Sequence, residues 1–117
     1  MKFIKNRLYL LFLVIFLGNC GDLELKNEYP EINEVTSEAE FKIILPEDHR
    51  KGLNWQLTQD YDKSHVRQIN EVWHGNEKGI YFHLQALSIG QTTLTFVSRT
   101  YTDTADIKRF IVKIVKN

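Results

Sequence analysis

The chain has 117 residues, 15 of them basic and 15 acidic. That is room for one domain with its own core and too little basic excess for a nucleic-acid footprint. A single cysteine, Cys20, leaves no internal disulfide to staple the fold.

Lys2, Lys5 and Arg7 open the chain, and residues 8–17 form an uninterrupted apolar run of ten. A bilayer span needs about 20 apolar residues, so this run suits the core of a secretory signal rather than a permanent anchor. Leu17-Gly18-Asn19-Cys20 follows it and resembles the bacterial lipobox, in which the cysteine receives a diacylglyceryl group. Residues 1–19 are therefore expected to be a lipoprotein signal and Cys20 a thioether, which removes thiol nucleophile, redox and thiolate-metal chemistry together. About 98 residues then remain, with 12 basic against 15 acidic side chains. Such a body does not hug anionic lipid through its charge; membrane contact comes from the acyl chains. Gly21 places no acidic residue directly after Cys20, which leans the expected location toward the outer membrane, while Asp22 stands one position later. Residues 20–33, acidic and holding Pro30, read as a lipidated tether to a domain over 34–117. Fully extended, its 13 residues after the cysteine would reach about 40 Å.

From Glu34 the pattern has period two. Edge-strand character in INEVTS is followed by FKIIL, LNWQLT, a weaker HVRQINEVW, IYFHLQA, TLTFVS and RFIVKIV. Alternation puts Phe41, Ile43, Leu45, Trp55, Leu57, Phe82, Leu84, Leu94, Phe96, Phe110, Val112 and Ile114 on inner faces. Turn signals separate the segments at 46–52, 75–79, 88–90 and 100–106. About seven short strands with no helical stripe predict an all-β, immunoglobulin-like antiparallel sandwich.

The polar residues point away from catalysis. His49, His65, His74 and His83 form no pair at metal-ligand spacing. Asp60-Tyr61-Asp62 lacks the glycine and terminal glutamate of a calcium loop. There is no serine-nucleophile elbow and no phosphate-binding glycine loop. The expectation is a non-enzyme without metal or cofactor. More informative are the connections 46–52, 75–79 and 99–106, which follow the second, fourth and sixth strands. Alternate loops of a sandwich emerge at the same tip.

Residues 45–55, LPEDHRKGLNW, resemble the segment of chagasin-like cysteine protease inhibitors in which a strand ending Leu-Pro enters an N-P-T-T-G loop before an aromatic-x-Trp strand. Leu45-Pro46, Gly52 and Trp55 stand at the matching spacing. In GIYFHLQALSIGQTTLTF, Phe82, Leu84, Ala86, Gly90, Leu94 and Phe96 fit that family's strand–turn–strand, and RFIVKIV its closing strand. The resemblance implies an immunoglobulin-like sandwich and three loops inserted into the cleft of a papain-like cysteine protease. Carried over by position, those loops are Asp48, His49, Arg50, Lys51 and Gly52; then Gly75, Asn76, Glu77 and Lys78; then Arg99, Thr100 and Tyr101. The contact positions depart from the family: two cations replace the small threonines, one glycine of G-x-G-G survives, and Thr100 and Tyr101 replace the proline and tryptophan of R-P-W. Scaffold positions match better than contact positions. A monomeric, lipid-anchored inhibitor is the leading expectation, a non-inhibitory envelope module engaging a protein partner is the second, and a purely structural lipoprotein the third.

Overall fold

The period-two segments become seven strands in the computed structural model, which describes residues 23–52, 54–99 and 104–117. The expected signal, Cys20, Thr100 and Tyr101 lie outside these residues. The strands are β1 (Ile32–Thr36), β2 (Glu40–Leu45), β3 (Asn54–Leu57), β4 (Val66–Trp73), β5 (Ile80–Ala86), β6 (Gly90–Arg99) and β7 (Thr104–Val115). One sheet has the order β2-β5-β4 and the other β1-β7-β6-β3.

The sheets are antiparallel except at one pair. β1 runs parallel to β7, with Ile32 opposite Ile111 and Thr36 opposite Val115. The turn after β1 explains it. Ala39 N–H bonds Thr36 O (3.1 Å) and Glu38 N–H bonds Ala86 O (3.1 Å), which carries the chain directly into the other sheet. β1 therefore has no hairpin partner and lies beside the last strand.

All twelve side chains expected to point inward are buried. Phe82 of β5 meets Phe96 of β6 with ring centroids 4.8 Å apart, and Phe96 meets Phe110 of β7 edge-on at 5.7 Å, so one aromatic run joins the two sheets. Such pairs contribute about 0.5–1.5 kcal/mol each beyond their area.

The stretch read as a tether is corrected from Leu23 onward. Leu25 is 5% exposed and belongs to the core. Its N–H bonds Lys42 O (3.0 Å) and Lys42 N–H bonds Leu23 O (2.8 Å), along the outer edge of β2. Buried Asn33 donates to Asn27 O (2.8 Å) and Ile111 O (3.1 Å), and Tyr29 N–H bonds Arg109 O (2.7 Å). One leucine and a few backbone bonds produce no periodic pattern, so this docking was invisible to a reading of hydrophobic spacing.

Candidate functional site at the loop end

β2, β4 and β6 end at the same tip of the sandwich, because each pairs antiparallel with a strand that begins there. The first loop leaves β2 at Pro46 and is organised from within by Glu47, only 4% exposed. Its Oε2 accepts the Trp55 backbone N–H (2.7 Å), and its Oε1 lies 2.7 Å from His49 Nε2. A carboxylate withdrawn from water must be paired to be tolerated, and here its pairing ties the loop to the start of β3. Trp55 Nε1 closes the same knot by donating to Pro46 O (2.6 Å).

At the tip, Asp48 caps a 3-10 turn over His49–Lys51 and accepts from Arg50 N–H (3.0 Å). The Arg50 guanidinium folds back on the same carboxylate through Nε (3.0 Å) and one terminal nitrogen (2.9 Å). This pair raises the Arg50 pKa further above its usual value. Gly52, at φ 66, ψ 21, ends the turn in the left-handed region, which a side chain enters only with strain. Nothing is described of the Lys51 side chain.

The second loop joins the first. Asn76 Oδ1 accepts the His49 backbone N–H (3.0 Å), and the His49 ring stacks on Trp73, centroids 4.0 Å apart and 15° from parallel. His74 N–H to Gly79 O and Gly79 N–H to Gly75 O, both 2.8 Å, close the loop on itself. Gly79, at φ 86, lies so near the end of β2 that a Cβ would sit 2.2 Å from Leu45 O. Glu77 and Lys78 are exposed at the turn.

Of the third loop, Arg99 is described. It pairs with Asn54 across β6 and β3 and borders a cleft of about 420 Å³ that Glu47, His49, Trp55, Glu71 and Trp73 also line. Asp48, His49, Arg50, Gly52, Gly75, Asn76 and Arg99 thus lie around one end of the domain. Two residues there escaped the sequence reading. Glu47 looks like any loop carboxylate, although its position directly after Leu45-Pro46 was available as a signal. Trp73 is 42% exposed, and a tryptophan ending a mostly polar strand was the clue to it. Among the described residues no group of three His, Cys, Asp or Glu side chains is placed to hold a metal ion.

No protein-family model and no curated protein matches the chain. Among the solved structures that share its fold, the cysteine protease inhibitor EhICP2 from Entamoeba histolytica aligns with a TM-score of 0.64 at 16% identity, over 80% of this chain and 92% of that one. Amebosin, a solution structure, aligns with a TM-score of 0.53 at 14% identity, over 84% and 100%. The immunoglobulin-like sandwich implied by the resemblance to chagasin-like inhibitors is the fold observed.

Proposed function

We propose that this chain is an exported, lipid-anchored monomer that inhibits papain-like cysteine proteases by inserting its loop end into the active-site cleft. The observation that carries the proposal is the bonding of the first loop to the second through His49, Asn76 and Trp73, with Arg99 on the same cleft. A wedge gains affinity when its loops are held before binding, since ordering them at the interface costs free energy. The fold shared with a cysteine protease inhibitor supports the reading, and a fold does not itself assign function. The direct test is titration of papain and a cathepsin with residues 21–117. Inhibition at or below micromolar concentration is expected, and its absence there overturns the proposal. Within it, Tyr101→Ala should weaken inhibition more than Lys78→Ala, because aromatic anchors dominate such interfaces.

Anchoring rests on the signal-like start and on Cys20, with the outer membrane favoured by Gly21. A Cys20→Ser chain should remain an uncleaved precursor without palmitate label; normal labelling would refute the anchor.

The second reading, a non-inhibitory module engaging another protein partner, is favoured by the Asp48–Arg50 pair, whose guanidinium occupies a tip where the inhibitor family has small threonines. Replacing Arg50 and Lys51 by threonine should tighten papain binding if bulk at the tip is the obstacle. No measurable affinity after that change favours the binding module.

A further inference from the structure

A sandwich has two seams where the edges of its sheets face each other, and this chain finishes them differently. The seam beside β2 is covered by residues 23–31, with Leu25 buried in it and backbone bonds made along the β2 edge. The seam between β3 and β4 is open. β3 has four residues and β4 eight, and β4 is the last strand of its sheet among the described residues.

The loop-end cleft is the upper part of this seam. A second cleft of about 340 Å³, lined by Tyr61, Lys63, Val66, Arg67 and Gln68, lies along its lower part. Register places Val66, Gln68, Glu71 and Trp73 opposite the inward residues Ala86, Leu84, Phe82 and Ile80, so these four side chains of β4 form one wall of the groove. Ile69, Val72 and Trp73 are exposed at 36%, 41% and 42%, an unusual apolar load for a free edge. Charge changes sign along the strand. At the lower end, Lys63 and Arg67 hydrogen-bond to the neutral oxygens of Gln59 and Gln85. At the upper end, Glu71 meets only a long contact from the Gln68 amide (3.4 Å) in the described hydrogen bonds. Arg99 stands on the far wall, while His49, held by Glu47, stacks on one face of Trp73 and leaves the ring 42% exposed.

We infer that β4 receives an extended segment of a partner protein as an added antiparallel strand, with a basic residue against Glu71 and Trp73 and an acidic residue against Arg67. Backbone bonds to a free edge supply affinity in this mode and side-chain pockets supply specificity. The bulge at Ile69, between Gln68 and Asn70, sets the spacing. It leaves Glu71 inward and Arg67 outward, so the matching partner residues are three apart and on opposite faces of their strand. A bulge also deters indiscriminate edge pairing, which makes that spacing a requirement.

The test uses the full-length chain in dodecyl maltoside micelles and two peptides of equal composition, acetyl-Val-Ile-Lys-Thr-Val-Asp-Val-amide and its swap with Asp and Lys exchanged. The first should shift the amide resonances of residues 67–73 and the emission of Trp73, whose exposure distinguishes it from buried Trp55. The swapped peptide should bind about tenfold more weakly, and the double variant Arg67→Glu, Glu71→Lys should reverse the order. Both charges lie on exposed side chains, so the variants should fold, and circular dichroism checks this. Shifts confined to other strands, equal affinity for both peptides, or no shift at millimolar peptide would each overturn the inference. So would a concentration-dependent dimer pairing β4 with β4 in sedimentation, which makes a second copy the occupant. None of these outcomes depends on protease inhibition.

Discussion

Removing the Glu47 carboxylate tests whether the loop end is organised from within. Glu47→Ala leaves the Trp55 backbone N–H, now bonded at 2.7 Å, without its carboxylate acceptor, and takes from the His49 ring its polar partner but not its stack on Trp73. A buried donor left unsatisfied costs about 1–3 kcal/mol, and a bond to an ionised carboxylate is worth about 1.5–3 kcal/mol. These terms describe partly the same loss, so the expected cost is about 2–4 kcal/mol. A domain of this size is stable by about 5–15 kcal/mol, so the variant should fold but unfold at much lower urea. Two comparisons fix the cause. Glu47→Gln keeps an oxygen for Trp55 N–H and should cost about half as much. His49→Ala leaves the Trp55 bond intact but takes the partner from Glu47 Oε1 and the stack from Trp73. Because the ring is 41% exposed and water can replace it, its cost should be about 1–2 kcal/mol, below that of Glu47→Ala. Urea unfolding followed by the emission of the two tryptophans measures all three. A Glu47→Ala cost below about 1 kcal/mol, or one equal to that of His49→Ala, would show that the carboxylate does not hold the loop.

The second loop yields a paired prediction. Gly75→Ala meets open space and suffers only from φ 102, about 1–2 kcal/mol, whereas Gly79→Ala adds a collision with Leu45 O and should lower Tm further; equal Tm values would contradict the packing of this loop on β2. Phe96→Ala, at the centre of the aromatic run and fully buried, should cost about 3–5 kcal/mol in guanidinium unfolding. A loss near 1 kcal/mol would mean that the sheets are not joined there. At the opposite end, hydrogen bonds from the Ser64 hydroxyl and backbone N–H hold the Asp62 pKa below its ordinary 3.8. The folded state therefore gains stability above that value and loses it as pH falls through the depressed one. The urea midpoint of Asp62→Asn should lie below that of the parent chain at pH 7 and approach it at pH 2; a gap unchanged by acid would refute the charge as its cause.

Alternation alone was enough to identify the all-β class and the inner faces of β2, β3, β5, β6 and β7, because a side chain's face follows from its own position in a regular strand. Phe41, Trp55, Phe82, Phe96 and Phe110 needed no neighbours to be assigned to the core. The candidate site was legible only in part. Gly52 and Asn76 could be read as loop residues at one tip, since alternate connections emerge together. Their actual link through His49 depends on side-chain and backbone atoms 27 positions apart, which no local pattern encodes.

β4 shows the boundary most sharply. Strict period two through VRQINEVW would group Arg67, Ile69, Glu71 and Trp73 on one face. The bulge inserts Ile69 without a partner, and beyond it the register advances by one, so Glu71 and Trp73 join Val66 and Gln68 on the groove side. The parallel placement of β1 beside β7 and the burial of Leu25 are of the same kind. The sequence by itself determined which segments form strands and which of their faces are apolar. Register, strand direction and the sealing of one seam but not the other were decided by the tertiary structure, because they depend on how backbone groups distant in the chain satisfy one another across a shared core.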